Sequence, residues 1–123
     1  MTGVQTCALP ISRSTAVLSG LAGVFSANNP RVLPAGGHWG IPATAEGLTG
    51  NLTVAGQTQA GYVSITPDPN PTPTTSTINF PFGDIRANGV TVPINDAGSI
   101  ALVYKAGGGR TTDLILDVSG YFK

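Results

Sequence analysis

From Leu48 onward, apolar and polar residues alternate through most of the chain. Leu48, Gly50, Leu52 and Val54 interleave with Thr49, Asn51 and Thr53, and a period of two sends one row of side chains to a core and the other to water. That predicts a half-buried strand. Tyr62 to Thr66 repeats the pattern with Val63 and Ile65 on one face, and Thr77 to Phe80 repeats it with Ile78 and Phe80. Between these two runs, Thr66 to Thr75 carries four prolines. Prolines remove backbone donors and favour extended polyproline geometry, so this segment is expected as an exposed loop.

The last third is more regular. Val90, Val92 and Ile94 alternate, Asn95 to Gly98 reads as a turn, and Ile100, Leu102 and Tyr104 alternate again, so the two runs are expected to form a hairpin. Ala106 to Gly109 supplies a glycine-rich turn. The run TTDLILDV, Thr111 to Val118, follows, with Leu114, Leu116 and Val118 facing one way and Ile115 the other, which predicts a central strand. Pro93 lacks a backbone donor and places its strand at a sheet edge. The fold class expected is all-β, a single antiparallel β-sandwich-like domain.

One segment conflicts with this picture. Val17, Leu18, Leu21, Val24 and Phe25 fit a helical spacing, and Arg13 ahead of an apolar stretch imitates a signal peptide. Gly20 and Gly23 would each cost a helix about 1 kcal/mol relative to Ala. Residues 12–19 are therefore left as an unassigned leader. The apolar stretch from Ala16 to Phe25 also falls short of the roughly 18 to 20 residues of a membrane span, so no membrane insertion is expected.

Composition narrows the partners. Of 123 residues only 10% are charged, and six Lys and Arg balance six Asp and Glu with no run of either sign. Such a chain has no electrostatic footprint for nucleic acid or for an acidic membrane surface. Seventeen Gly and ten Pro fit many short strands joined by tight turns.

Two resemblances come from residue strings. Met1 to Ile11, MTGVQTCALPI, resembles the translation of a widely used short-read sequencing adapter and is set aside from fold reasoning, along with the only cysteine, Cys7. From Gly20 to Phe122 the chain resembles repeat modules of secreted and wall-associated proteins of Chloroflexi-like and actinobacterial-type bacteria. The stretches that carry the likeness are GLAGVFSANNPR (Gly20 to Arg31), GIPATA (Gly40 to Ala45), TGNLTVAGQTQAGYVSITP (Thr49 to Pro67), STINFPFGDIRANGVTVP (Ser76 to Pro93) and the closing D-V-x-G-Y-F signature, Asp117 to Phe122. The resemblance implies a β-sandwich-like module, residues 20–123, in a secreted or cell-surface parent protein, without catalytic residues of its own. It also implies that the opening strand of such modules is missing here, its signal peptide lost with the same 5′ end.

No nucleophile elbow accompanies His38, the single histidine, so GGHWG reads as a loop. Trp39 offers a flat face for stacking on a sugar ring, against the reading that it caps the core. Tyr62 and Tyr104 are candidates to line the same glycan groove, against the reading that they pack across strands. Asp84, Asp96, Asp113 and Asp117 make no calcium-loop spacing, and Asp84 and Asp117 are better placed to hold loops or pair with Arg86 or Arg110. No metal, no cofactor and no enzymatic activity are expected. The function expected is a non-catalytic extracellular accessory module that attaches its parent to cell-wall or extracellular polysaccharide through Trp39, Tyr62 and Tyr104. The alternative is a purely structural or adhesive surface repeat with no small ligand.

Overall fold

The computed structural model describes residues 4–6, 12–13, 23–38 and 40–123. Val17, Leu18 and Leu21 of the helix-like spacing, together with Cys7 and Trp39, lie outside the described residues, as do most of the adapter-like and leader segments, while Phe25 at the end of that spacing lies in a strand. Among the described residues there are ten strands: β1 (Val4–Thr6), β2 (Ser12–Arg13), β3 (Phe25–Ser26), β4 (Arg31–Pro34), β5 (Gly47–Ala55), β6 (Gly61–Thr66), β7 (Ile78–Phe80), β8 (Arg86–Pro93), β9 (Ser99–Lys105) and β10 (Thr111–Phe122). Among the described residues there is no helix.

The strands form two antiparallel sheets. In the first, β10 pairs with β5, β5 pairs with β8, and β1, β2 and β3 flank the other side of β10 at three separate places. In the second the order is β4, β9, β6, β7. The inward row of the first sheet (Leu48, Leu52, Val54, Val90, Val92, Leu114, Leu116, Val118) meets that of the second (Leu33, Val63, Ile65, Ile78, Phe80, Ile100, Leu102, Tyr104) in a single core. Each such side chain contributes roughly 1.5 to 3 kcal/mol on burial. The fold is the all-β sandwich that the alternation predicts, with β10 central and β8, which ends at Pro93, at a sheet edge.

The expected hairpin of Val90 to Ile94 with Ile100 to Tyr104 is not formed. β8 pairs with β5 in one sheet, and β9 lies between β4 and β6 in the other. Residues 94–98 instead carry the chain from sheet to sheet, pinned by Ile94 N–H donating to Glu46 O at 2.9 Å and Ser99 N–H donating to Asn95 Oδ1 at 2.9 Å. The burial of β9 explains the outcome. Ser99 through Tyr104 are all buried, so this strand needs cover on both faces and a partner on both sides. The edge strand β8, with six of its eight residues exposed, cannot supply that.

The proline-rich loop is also not simply exposed. Ser64, Ala101 and Val103 point away from the core, yet each is only 1% exposed, and Pro73 is buried. Segment 67–76 lies back over this outer face. Lys105 Nζ donates to Pro71 O at 2.7 Å, and Asn95 Nδ2 donates to Pro67 O and Asp68 Oδ1, both at 3.0 Å. The prolines keep the strap extended, so those few bonds suffice to hold it.

Candidate binding surface at the loop end of the sandwich

The antiparallel register sorts the connections to two poles. Arg86 pairs with Val54, Ala55 with Asp113, and Gly61 with Phe80. Loops 27–30, 56–60, 81–85 and 106–110 therefore gather at one pole, and loops 35–46 and 94–98 at the other.

Side-chain amides lock the first pole. Asn28, in a left-handed conformation with φ of 69°, donates through Nδ2 to Ala106 O at 2.9 Å. Its N–H donates to Tyr104 O at 2.7 Å. Gln59 Oε1 accepts from Gly107 N–H at 2.5 Å, and Thr58 N–H donates to Thr111 O at 2.9 Å. Gln57 is 3% exposed and reaches from its loop to the next, where Nε2 donates to Pro81 O at 3.1 Å and to Asp84 O. One buried amide thus ties both ends of the turn that carries Phe82 and Gly83. Gly83 adopts a φ of +74°, which only glycine takes at no steric cost.

This bracing determines what the turn presents. Phe82 is 69% exposed and Ile85 72%, while Arg86 Nε meets Asp84 Oδ2 at 2.6 Å beside them. Two large apolar side chains held out on a fixed turn form a preorganised contact, because little conformational entropy remains to be lost when they are covered. Neither residue brings an acid, base or nucleophile; what the pair offers is exposed apolar area. Among the described residues no three of His, Cys, Asp and Glu gather as metal ligands would.

The sequence-derived candidates are scattered. Tyr104 is 0% exposed, stacks with Phe80 at 5.9 Å between centroids, and donates its hydroxyl to Gln59 O at 2.7 Å. It offers no face to a glycan, and its assignment to a groove is corrected: it anchors the core to the loop end. Tyr62 pairs with Lys105, whereas its neighbour Val63 pairs with Tyr104. The two tyrosines consequently occupy opposite faces of one sheet, and Tyr62 is half-buried on the outer one. His38 is exposed in the loop at the opposite pole. Of the carboxylates, Asp84 pairs with Arg86 as its spacing anticipated. Phe82 and Ile85 escaped the sequence reading; the available signal was an apolar pair on either side of Gly83, in a stretch that a strand cannot continue through.

Burial pushes the Tyr104 phenol above its usual 10, with the Arg110 charge pulling partly the other way. A raised folded value means that the associated stability is complete below about pH 10, the unfolded value, and is lost as pH rises through the folded one. The urea midpoint is expected to hold up to about pH 10 and to fall as the pH rises beyond it, and Tyr104→Phe to flatten that fall after a loss of about 1 kcal/mol for the missing hydrogen bond. An unchanged pH profile in the variant would assign the alkaline loss to another group.

Comparison with known protein families, with curated proteins and with solved structures finds no match to this chain.

Proposed function

We propose that the chain is a non-catalytic contact module of a larger secreted or surface protein, and that it adheres through the loop end carrying Phe82 and Ile85 and not through an aromatic glycan groove. The observation that carries this reading is the pair of apolar side chains, 69% and 72% exposed, on a turn braced by the buried Gln57. The extracellular setting rests on the D-V-x-G-Y-F resemblance at Asp117 to Phe122. Attachment to wall polysaccharide is the second reading, favoured by the half-buried Tyr62 on the outer face of β6 beside Asn79 and Lys105.

One adhesion assay separates the two. Beads coated with the chain are expected to bind bacterial cell envelopes roughly tenfold better than beads coated with the Phe82→Asp/Ile85→Asp variant. Both residues are exposed, so the variant should keep its unfolding midpoint. Retention that is unaffected by this variant but abolished by Tyr62→Ala would overturn the loop-end reading in favour of polysaccharide attachment.

A further inference from the structure

Sheets protect their edges with short strands, charges, prolines or bulges, because an open row of backbone N–H and C=O groups is a template for another strand. The second sheet follows this rule, since its edge strands β4 and β7 have four and three residues. β8 does not. It is eight residues long with six exposed, its only partner in the sheet is β5 and their register has no shift, and Ala87 to Val92 carry no charge. Ile94 N–H donates to Glu46 O, and the unbroken register carries that phase along the strand, so Val92, Val90, Asn88 and Arg86 bond toward β5. Ala87, Gly89 and Thr91 therefore turn their N–H and C=O groups outward, and among the described residues none of these groups has a partner. We propose that this edge pairs with the β8 edge of a second copy, antiparallel across a two-fold axis at Gly89, which joins the two first sheets into one.

The edge matches itself in one register. Its outward residues are bounded on one side by Pro93, which has no N–H to give, and on the other by the start of the strand at Arg86. Full use of Ala87, Gly89 and Thr91 sets Gly89 opposite Gly89 and Ala87 opposite Thr91 of the second copy, each pair exchanging two bonds, about six in all. Pro93 then falls opposite Ile85 of the second copy, beyond the strand, where no donor is needed. Arg86 falls opposite Val92, so no like charges meet across the axis. A Cβ added at Gly89 would have no atom nearer than 4.0 Å, and Ala87 leaves room opposite Thr91, so no bulky side chain holds a second strand off. The pairing uses the same patch on both copies and therefore closes at two. A strand pair is smaller than a standard interface, which puts it among weak associations, within reach of copies held close together on one surface. Adhesion through the loop end does not require this pair but gains from it. The axis points the two loop ends in opposite directions, so one pair can bridge two surfaces.

Sedimentation velocity tests the pairing. The chain is expected to run as one copy at about 10 μM and largely as two at about 1 mM, with amide exchange at Ala87, Gly89 and Thr91 slowed roughly tenfold between those concentrations. Gly89→Lys and Gly89→Glu each place like charges opposite one another on the axis, so each variant alone should stay single at about 1 mM with its unfolding midpoint unchanged. An equimolar mixture of the two variants should pair again, because the charges on the axis are then opposite. A parent chain that stays single at about 1 mM, assembly beyond two copies, or a mixture that fails to pair would each overturn the proposal. Association that survives Gly89→Lys would overturn it too, and its loss in Phe82→Asp/Ile85→Asp would then assign the contact to the loop end. Loop-end adhesion stands or falls separately, since its variants leave Gly89 untouched.

Discussion

Gly50→Ala is expected to lower stability by about 3 kcal/mol or more, whereas Gly89→Ala in the neighbouring strand should change it by less than about 0.5 kcal/mol. Both glycines lie in strands of the first sheet, where glycine is ordinarily a weak choice. A Cβ on Gly50 would sit 2.1 Å from Asp117 O and 3.0 Å from the Cα of Val118. These are backbone atoms, so no rotamer change relieves the overlap. They stand at the point where the pairing of β5 with β10 shifts register, between Val118 and Gly120. The bulge lets the backbone of β10 approach β5 closely, and only a residue without a side chain fits opposite it. At Gly89 the nearest atom to a new Cβ is Gly50 O at 4.0 Å, and alanine would also restrict the unfolded chain. Urea unfolding of the two variants measures the difference directly. Equal midpoints would mean that β10 can re-register around Gly50, and that the bulge does not set the pairing.

The signature Asp117 to Phe122 spans that same bulge, and its readability from sequence was partial. Alternation locates β5, β6, β7, β9 and β10 because each strand has one face on the core, which a period of two records. It does not reveal pairing. The assignment of Ile100 to Tyr104 to a hairpin with Val90 to Ile94 failed because adjacency along the chain favours a turn, whereas burial of both faces of β9 favours a place between β4 and β6. Strands of two and four residues, Phe25–Ser26 and Arg31–Pro34, are too short to show a period at all. Tyr104 was legible in principle: it stands in the same alternating row as Ile100 and Leu102, and that row faces inward. The loop end was not. Its exposure depends on Gln57 bonding to residues 24 and 27 positions away, a contact that no local pattern contains.

Gln57→Glu should therefore disturb the loop end far more than its near-identical shape implies. The exchange replaces an amide that donates to two carbonyls, Pro81 O and Asp84 O, with a carboxylate that at neutral pH can only accept. Two attractions become repulsions, and the charge sits at a position 3% exposed. Breaking such a site costs about 3 kcal/mol or more when the charge is left uncompensated. Burial and the facing carbonyls raise the folded pKa of the new acid above the usual value near 4.3. The stability that the protonated acid retains is then complete below about pH 4 and is lost as pH rises through the raised folded value. At pH 4 the protonated acid can still donate to one carbonyl, so the variant should approach the parent there and fall away by pH 7. Gln57→Leu supplies the uncharged comparison. It removes both bonds and also the buried Oε1 that has no partner, and it should cost about 1 to 2 kcal/mol at either pH. Its signature is local, since amides of residues 82–86 should lose roughly tenfold in hydrogen-exchange protection as the turn is released. If Gln57→Glu matched Gln57→Leu at pH 7, its carboxylate would have reached water, which requires the turn to swing away. In that case the exposure of Phe82 and Ile85 would belong to a movable loop and not to a fixed one, and their advantage in adhesion would shrink by the entropy needed to order it.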